Sequence, residues 1–210
     1  MNALDTLSKK NPSTTEQARP QWDPHNHLPR AYPPYSLQLT QWLDACWEDD
    51  ALEEKPYVFE IYRPHQRQDE IYMVGRRGIE GEKIRTKAKG GFSIHQYGCA
   101  TDIVKDASAE KPGLQALWAD RKWYARLAAI AREVAPGIDW SGDWLHFQET
   151  CHFENRFGLT LLQFQQVWQR VQPANSGSPV PVSAVGPAAE QRLRAFYDLL
   201  DDQIALAEVP

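Results

Sequence analysis

Apolar residues recur along this chain first at helical and then at strand spacing. Leu39, Trp42, Leu43, Cys46 and Trp47 fall at i, i+3, i+4, i+7 and i+8, one stripe of a helix that Ser36 can cap. The stripe reads as core packing. Tyr57 to Tyr62 is β-branched and aromatic, hence a strand, and Arg63-Pro64 ends it. A helix through Gln68, Ile71 and Tyr72 follows and stops at Gly75. A buried strand is expected at 100–104, then a helical region over 112–134, broken near Asp120, with Leu127, Ile130 and Val134 on one face. Ile138-Asp139-Trp140 predicts a short strand. Thr160 caps a helix in which Leu161, Phe164, Val167, Trp168 and Val171 are helically spaced.

Composition divides the chain into four parts. Residues 1–34 form a polar, proline-rich arm, read as extended or partly disordered, and 35–172 carry the periodic elements. Residues 173–187 hold Pro, Gly and Ser as a linker. In 188–210, Leu193, Phe196, Tyr197, Leu200 and Ile204 mark an amphipathic helix, expected to fold back because a short isolated helix is marginal in water. Within the domain, 76–92 is a long loop rich in Gly, Lys and Arg, a feature often tied to function.

Length and charge narrow the classes. A chain of 210 residues, 42% hydrophobic and 24% charged, suits one substantial soluble core. A net charge of −5 leaves no overall basic footprint for nucleic acid, and no apolar run is long enough for membrane insertion. Affinity for a wall polymer would have to come from a shaped groove. Cys46, Cys99 and Cys151 are too few and odd in number for a disulfide framework, which suits a reducing compartment. The first residues lack the charged and apolar regions of a Sec signal, so synthesis in the cytoplasm is expected, with delivery by other means to any external substrate.

The candidate chemistry lies in two segments, Ser93 to Asp102 and Glu149 to Phe153. His95, Asp102 and His152 offer two imidazoles and a carboxylate, a ligand set for zinc with one position left open. Gly98 permits a tight turn between His95 and Asp102. Glu149, three residues before His152, is placed to act as general base, with Asp143 and Glu154 as rivals and an exposed surface glutamate as the plain alternative. Arg63 can reach an oxyanion or a substrate carboxylate, or form an ordinary salt bridge. The pair His25 and His27 lacks a nearby third ligand and reads as loop.

Ser93, His95, Gly98, Ala100 and Asp102 reproduce the S-x-H-x-x-G-x-A-x-D pattern of the zinc peptidoglycan peptidases, the family of D-Ala-D-Ala carboxypeptidases and endolysin-type L-alanyl-D-glutamate endopeptidases. Gly142-Asp143-Trp144, Phe147 and His152-Phe153 resemble the endolysin branch, as do Arg63, Gln68, Tyr72, Gly75 and Arg76 upstream; the resemblance spans 57–170. Two positions depart from that branch: Glu149 stands where aspartate is usual, and Cys151 where proline is usual.

The resemblance implies an α+β fold, a small antiparallel sheet flanked by helices with the zinc site in an open groove. It implies zinc on His95, Asp102 and His152, Glu149 as base, Arg63 as substrate or transition-state contact, and Ser93, Gln68, Asp143 and Trp144 around them. The implied reaction is hydrolysis of an amide in peptidoglycan stem peptides, first an L-alanyl-D-glutamate bond. The alternatives are a D-Ala-D-Ala carboxypeptidase and a zinc-stabilised binding module like the hedgehog domains. The site of action would be the cell wall or periplasm, reached through a holin or a secretion machine.

Overall fold

A computed structural model describes residues 19–105, 120–171 and 187–207. Helix α1, Pro33–Glu48, opens on two prolines in its first turn, where their missing N–H groups cost nothing. The helix therefore starts three residues before Ser36, whose amide already bonds back to Tyr32 O. Strand β1 (Tyr57–Glu60) leads through Arg63-Pro64 into α2 (His65–Met73). Strand β2 (Ala100–Val104) precedes a segment outside the described residues, and α3 (Arg121–Val134) is capped by Asp120, which accepts from the amides of Lys122 and Trp123. Strands β3 (Asp139–Trp140) and β4 (His152–Glu154) and helix α4 (Leu161–Arg170) complete the domain, and α5 (Pro187–Ala207) follows.

The four strands form one antiparallel sheet in the order β1-β2-β4-β3. Phe153 points to one face and is fully buried, its ring 4.5 Å from that of Trp42 on α1. From α3, Leu127 and Ile130 pack into the same core, and the α1 indole of Trp42 donates to Leu127 O at 2.9 Å. Val134, expected on that face, is instead exposed at the last turn of α3.

The arm read as 1–34 divides at residue 19. Residues 1–18 lie outside the described residues, whereas 19–34 pack against the domain. Trp22 and Tyr32 are buried, Trp22 O accepts from the Val58 amide at 2.8 Å, and the Asp23 carboxylate accepts from the amides of His27 and Leu28. Two large aromatic side chains outweigh the prolines around them. The expected linker falls almost wholly outside the described residues. Helix α5 lies back on the domain: Phe196 sits 5.2 Å from the ring of Trp168 on α4 and 5.5 Å from that of Tyr97.

Candidate metal centre

Strand pairing brings the two chemical segments together. Asp102 and His152 are direct cross-strand partners in the β2–β4 pair, so their side chains rise side by side on one face of the sheet. His95 arrives from a short 3-10 turn, Ile94–Tyr97, just before β2. That turn ends at Gly98 in a left-handed conformation (φ +67°), which reverses the chain into the strand. Ser93 precedes the turn, and its amide donates to the Gln96 side chain at 3.1 Å, so Ser93 shapes the turn that carries His95.

Three ligand atoms converge. His95 Nε2, His152 Nδ1 and Asp102 Oδ1 are separated by 3.1, 3.2 and 3.2 Å, and all three residues are buried. A tetrahedral ion with ligands at about 2.05 Å requires ligand atoms about 3.3 Å apart. The near-equilateral triangle thus fits one face of a small tetrahedral ion, and two imidazoles with a carboxylate suit zinc. Among the described residues this is the group of His, Cys, Asp and Glu able to hold a metal. Cys99 and Cys151 stay out of it: the Cys99 thiol faces Tyr97 O at 3.3 Å, and burial pushes both thiols well up.

Each converging side chain is braced from behind. His95 Nδ1 lies 2.8 Å from Ile61 O, a bond that puts the proton on Nδ1 and turns the Nε2 lone pair inward. His152 Nε2 lies 2.9 Å from Glu154 Oε2, and Arg156 holds the other oxygen of Glu154. Asp102 Oδ2 accepts from Arg63 Nη2 at 2.6 Å. Glu154, a rival base on sequence grounds, is thereby occupied as the orienting partner of His152. The signal was present in the sequence, since residues i and i+2 of a strand share a face.

The same network sets the charges. Burial would raise Asp102, but His95 and Arg63 hold its carboxyl well below the usual range. Burial and the nearby Arg63 lower His95. His152 moves the other way: burial opposes its charge, but hydrogen bonds to Asp102 and Glu154 outweigh it and lift the imidazole to about 10. In the metal-free chain a proton thus occupies the position where a cation would bind, and ion binding must displace it.

The remaining candidates separate. Glu149 is half-buried, and burial raises its carboxyl while His152, Asp102, Arg63 and Glu154 all act on it electrostatically. Its carbonyl closes the turn into β4 by accepting from the His152 amide at 3.1 Å. Trp144 stands beside the centre, its ring 5.8 Å from that of His152. Asp143 is exposed and pairs with Arg132 on α3. Arg63 forms ion pairs, the plain alternative for this residue, but in a buried setting. It is 8% exposed, and its guanidinium donates to Glu60, Gln68 and Asp102, bracing the cluster rather than facing solvent. Gln68, fully buried, passes the chain of bonds on to Ala88 O at 2.8 Å.

A family model described as D-alanyl-D-alanine carboxypeptidase matches residues 86–155, the stretch that holds His95, Asp102, Glu149 and His152. Over these 70 of the 210 residues the chain is similar to this peptidase family. Among curated proteins, the peptidoglycan L-alanyl-D-glutamate endopeptidase CwlK of Bacillus subtilis (strain 168) is 35% identical over 104 residues, 46% of this chain and 58% of that protein. The chain thus spans little more than half the length of this relative. A solved structure, the L-Ala D-Glu endopeptidase ChiX of Serratia marcescens, aligns with a TM-score of 0.42 and 22% identity, over 62% of this chain and 84% of that one. Members of the family are metallopeptidases, in keeping with the triangle of ligand atoms.

Proposed function

We propose that this protein is a zinc-dependent endopeptidase that hydrolyses the L-alanyl-D-glutamate bond of peptidoglycan stem peptides. The observation that carries the reading is the cross-strand pairing of Asp102 with His152, which with His95 presents three ligand atoms 3.1–3.2 Å apart, each braced from behind. The curated relative CwlK, which bears that activity in its name, supports the choice of bond.

His95, Asp102 and His152 would hold the ion. When bound, zinc supplies Lewis acidity toward the scissile carbonyl and the attacking water. Glu149 takes the proton from that water and delivers it to the leaving amine; its raised carboxyl suits both halves of the transfer. Arg63 is a positioning residue that keeps Asp102 ionised and aimed. Glu154 does the same for His152, and Trp144 forms a wall beside it.

The family model is described as a D-alanyl-D-alanine carboxypeptidase, and the glutamate three residues before His152 matches that branch, so a terminal D-Ala is the competing bond. Mass spectrometry of muropeptides digested by zinc-loaded protein, with and without chelator, separates the two. The endopeptidase creates chelator-sensitive products with a new N-terminal D-Glu. Loss of a terminal D-Ala instead would replace the reading with the carboxypeptidase, and no cleavage would remove both.

A further inference from the structure

The loop over 76–92 is pinned at close intervals. Gly75 (φ +77°) lets the backbone of Ile84 approach so closely that a Cβ at Gly75 would lie 2.4 Å from Ile84 N. Arg76 donates to Thr86 O at 3.0 Å, Gln68 to Ala88 O at 2.8 Å, and the Gly90 amide to Asp69 at 2.8 Å. Gly91 O accepts from Tyr97 and Gln165. A segment held this way presents its side chains in fixed directions.

Those directions sort the charges. Between 85 and 89, Thr86 and Ala88 turn inward while Arg85, Lys87 and Lys89 are exposed; Lys83 is exposed just before them. Among the described residues, none of these four cations has a carboxylate within ion-pair distance. The nearest acids in sequence and on α2 are otherwise engaged: Glu82 accepts from the Gly75 amide, Asp69 from that of Gly90, and Glu70 pairs with Arg67. Glu80 is exposed in the same loop. In a chain of net charge −5, four cations concentrated in seven residues run against the average.

Two connections run from the loop that carries this strip toward the metal centre. Its inward face joins Gln68, then Arg63, then Asp102, through hydrogen bonds of 2.8, 3.0 and 2.6 Å. Its outward Lys87 lies with Nζ 4.6 Å from the ring of Phe147, two residues before Glu149. Lys87 therefore bridges the two loops that flank the converging ligands.

We propose that Lys83, Arg85 and Lys87 form a carboxylate-recognition strip that binds the free carboxylate of the D-glutamate on the leaving side of the scissile bond. This rests on the endopeptidase reading above and deepens it, assigning the specificity to local charge that the overall balance conceals. An exposed cation contributes modestly, so the effect of the strip is about tenfold rather than absolute, and salt weakens it.

The test uses two probes, N-acetyl-L-alanyl-γ-D-glutamyl-L-lysine with the glutamate carboxylate free and the same peptide with that group amidated. Zinc-loaded wild type is expected to show a KM about tenfold lower for the acid, the ratio shrinking as NaCl is raised. Lys83→Gln and Arg85→Gln remove charge at exposed side chains that make no hydrogen bond or ion pair with another described residue, and with Lys87→Gln they are expected to bring the acid-to-amide ratio toward one. Unfolding midpoints confirm that the variants are folded. A wild type that cleaves both peptides equally, or triple-variant protein that keeps the tenfold preference, overturns the strip while leaving the endopeptidase in place. Cleavage of neither peptide overturns both.

Discussion

Substituting Gly98 by alanine probes how the turn that carries His95 is held. At φ +67° an alanine is strained by about 1 kcal/mol. Its Cβ would also lie 2.0 Å from Tyr197 Oη, 2.8 Å from Arg30 O and 3.0 Å from Tyr32 N. The last two atoms are backbone and cannot withdraw, so Tyr197 must leave. That breaks its 2.6 Å hydrogen bond to Arg30 O, a loss of about 1 kcal/mol, and displaces α5 from a packed interface at a further cost of roughly 1–3 kcal/mol. Gly98→Ala is therefore expected to destabilise the protein by about 3 kcal/mol or more, read by urea unfolding at constant zinc. Zinc retention against a chelator should fall in parallel, because the Gly98 amide and His95 carbonyl close the same turn. In a Tyr197→Phe background the same substitution should cost less, though never below the backbone strain of about 1 kcal/mol. A Gly98→Ala protein within 0.5 kcal/mol of wild type, a threshold about the size of an ordinary surface change, would refute the reasoning.

Two further expectations concern the centre. Glu154→Gln keeps a hydrogen-bond acceptor for His152 but removes its charge, and zinc affinity measured by chelator competition should fall about 10- to 100-fold; an unchanged affinity would deny Glu154 its orienting role. In chelated protein, His152 has a folded pKa of about 10 against about 6.5 unfolded, so its contribution is full below pH ~6.5 and is lost as pH rises toward the folded value. Stability should then fall by about 1 kcal/mol per unit between pH 7 and 8, before the unfolded thiols begin to titrate near 8.5, and zinc-loaded protein should lack this decline. A flat profile for the chelated protein would contradict the proton's place at the centre.

Of the two strands that pair the chemical segments, only the first carries a local strand signal. Ala100 to Val104 is a run of small and β-branched residues, whereas β4 is three residues long and is defined by its pairing with β2. What escaped was partnership. Arg63 looked like a substrate contact because its exposure is decided by Gln68 and Asp102, residues 5 and 39 positions away, which no local pattern encodes. Asp143 sits in a matching motif, yet a single turn of 3-10 helix directs it to Arg132. The proline-rich stretch before α1 failed in the other direction, since burial of Trp22 and Tyr32 overrides the backbone preferences around them.

The most direct test of the central claim is a paired measurement on Glu149→Gln. If His95, Asp102 and His152 hold the ion and Glu149 moves the proton, this variant binds one zinc per chain with wild-type affinity and releases no D-Glu-terminated fragments from purified sacculi. A variant that binds zinc normally and digests sacculi at the wild-type rate would contradict the account.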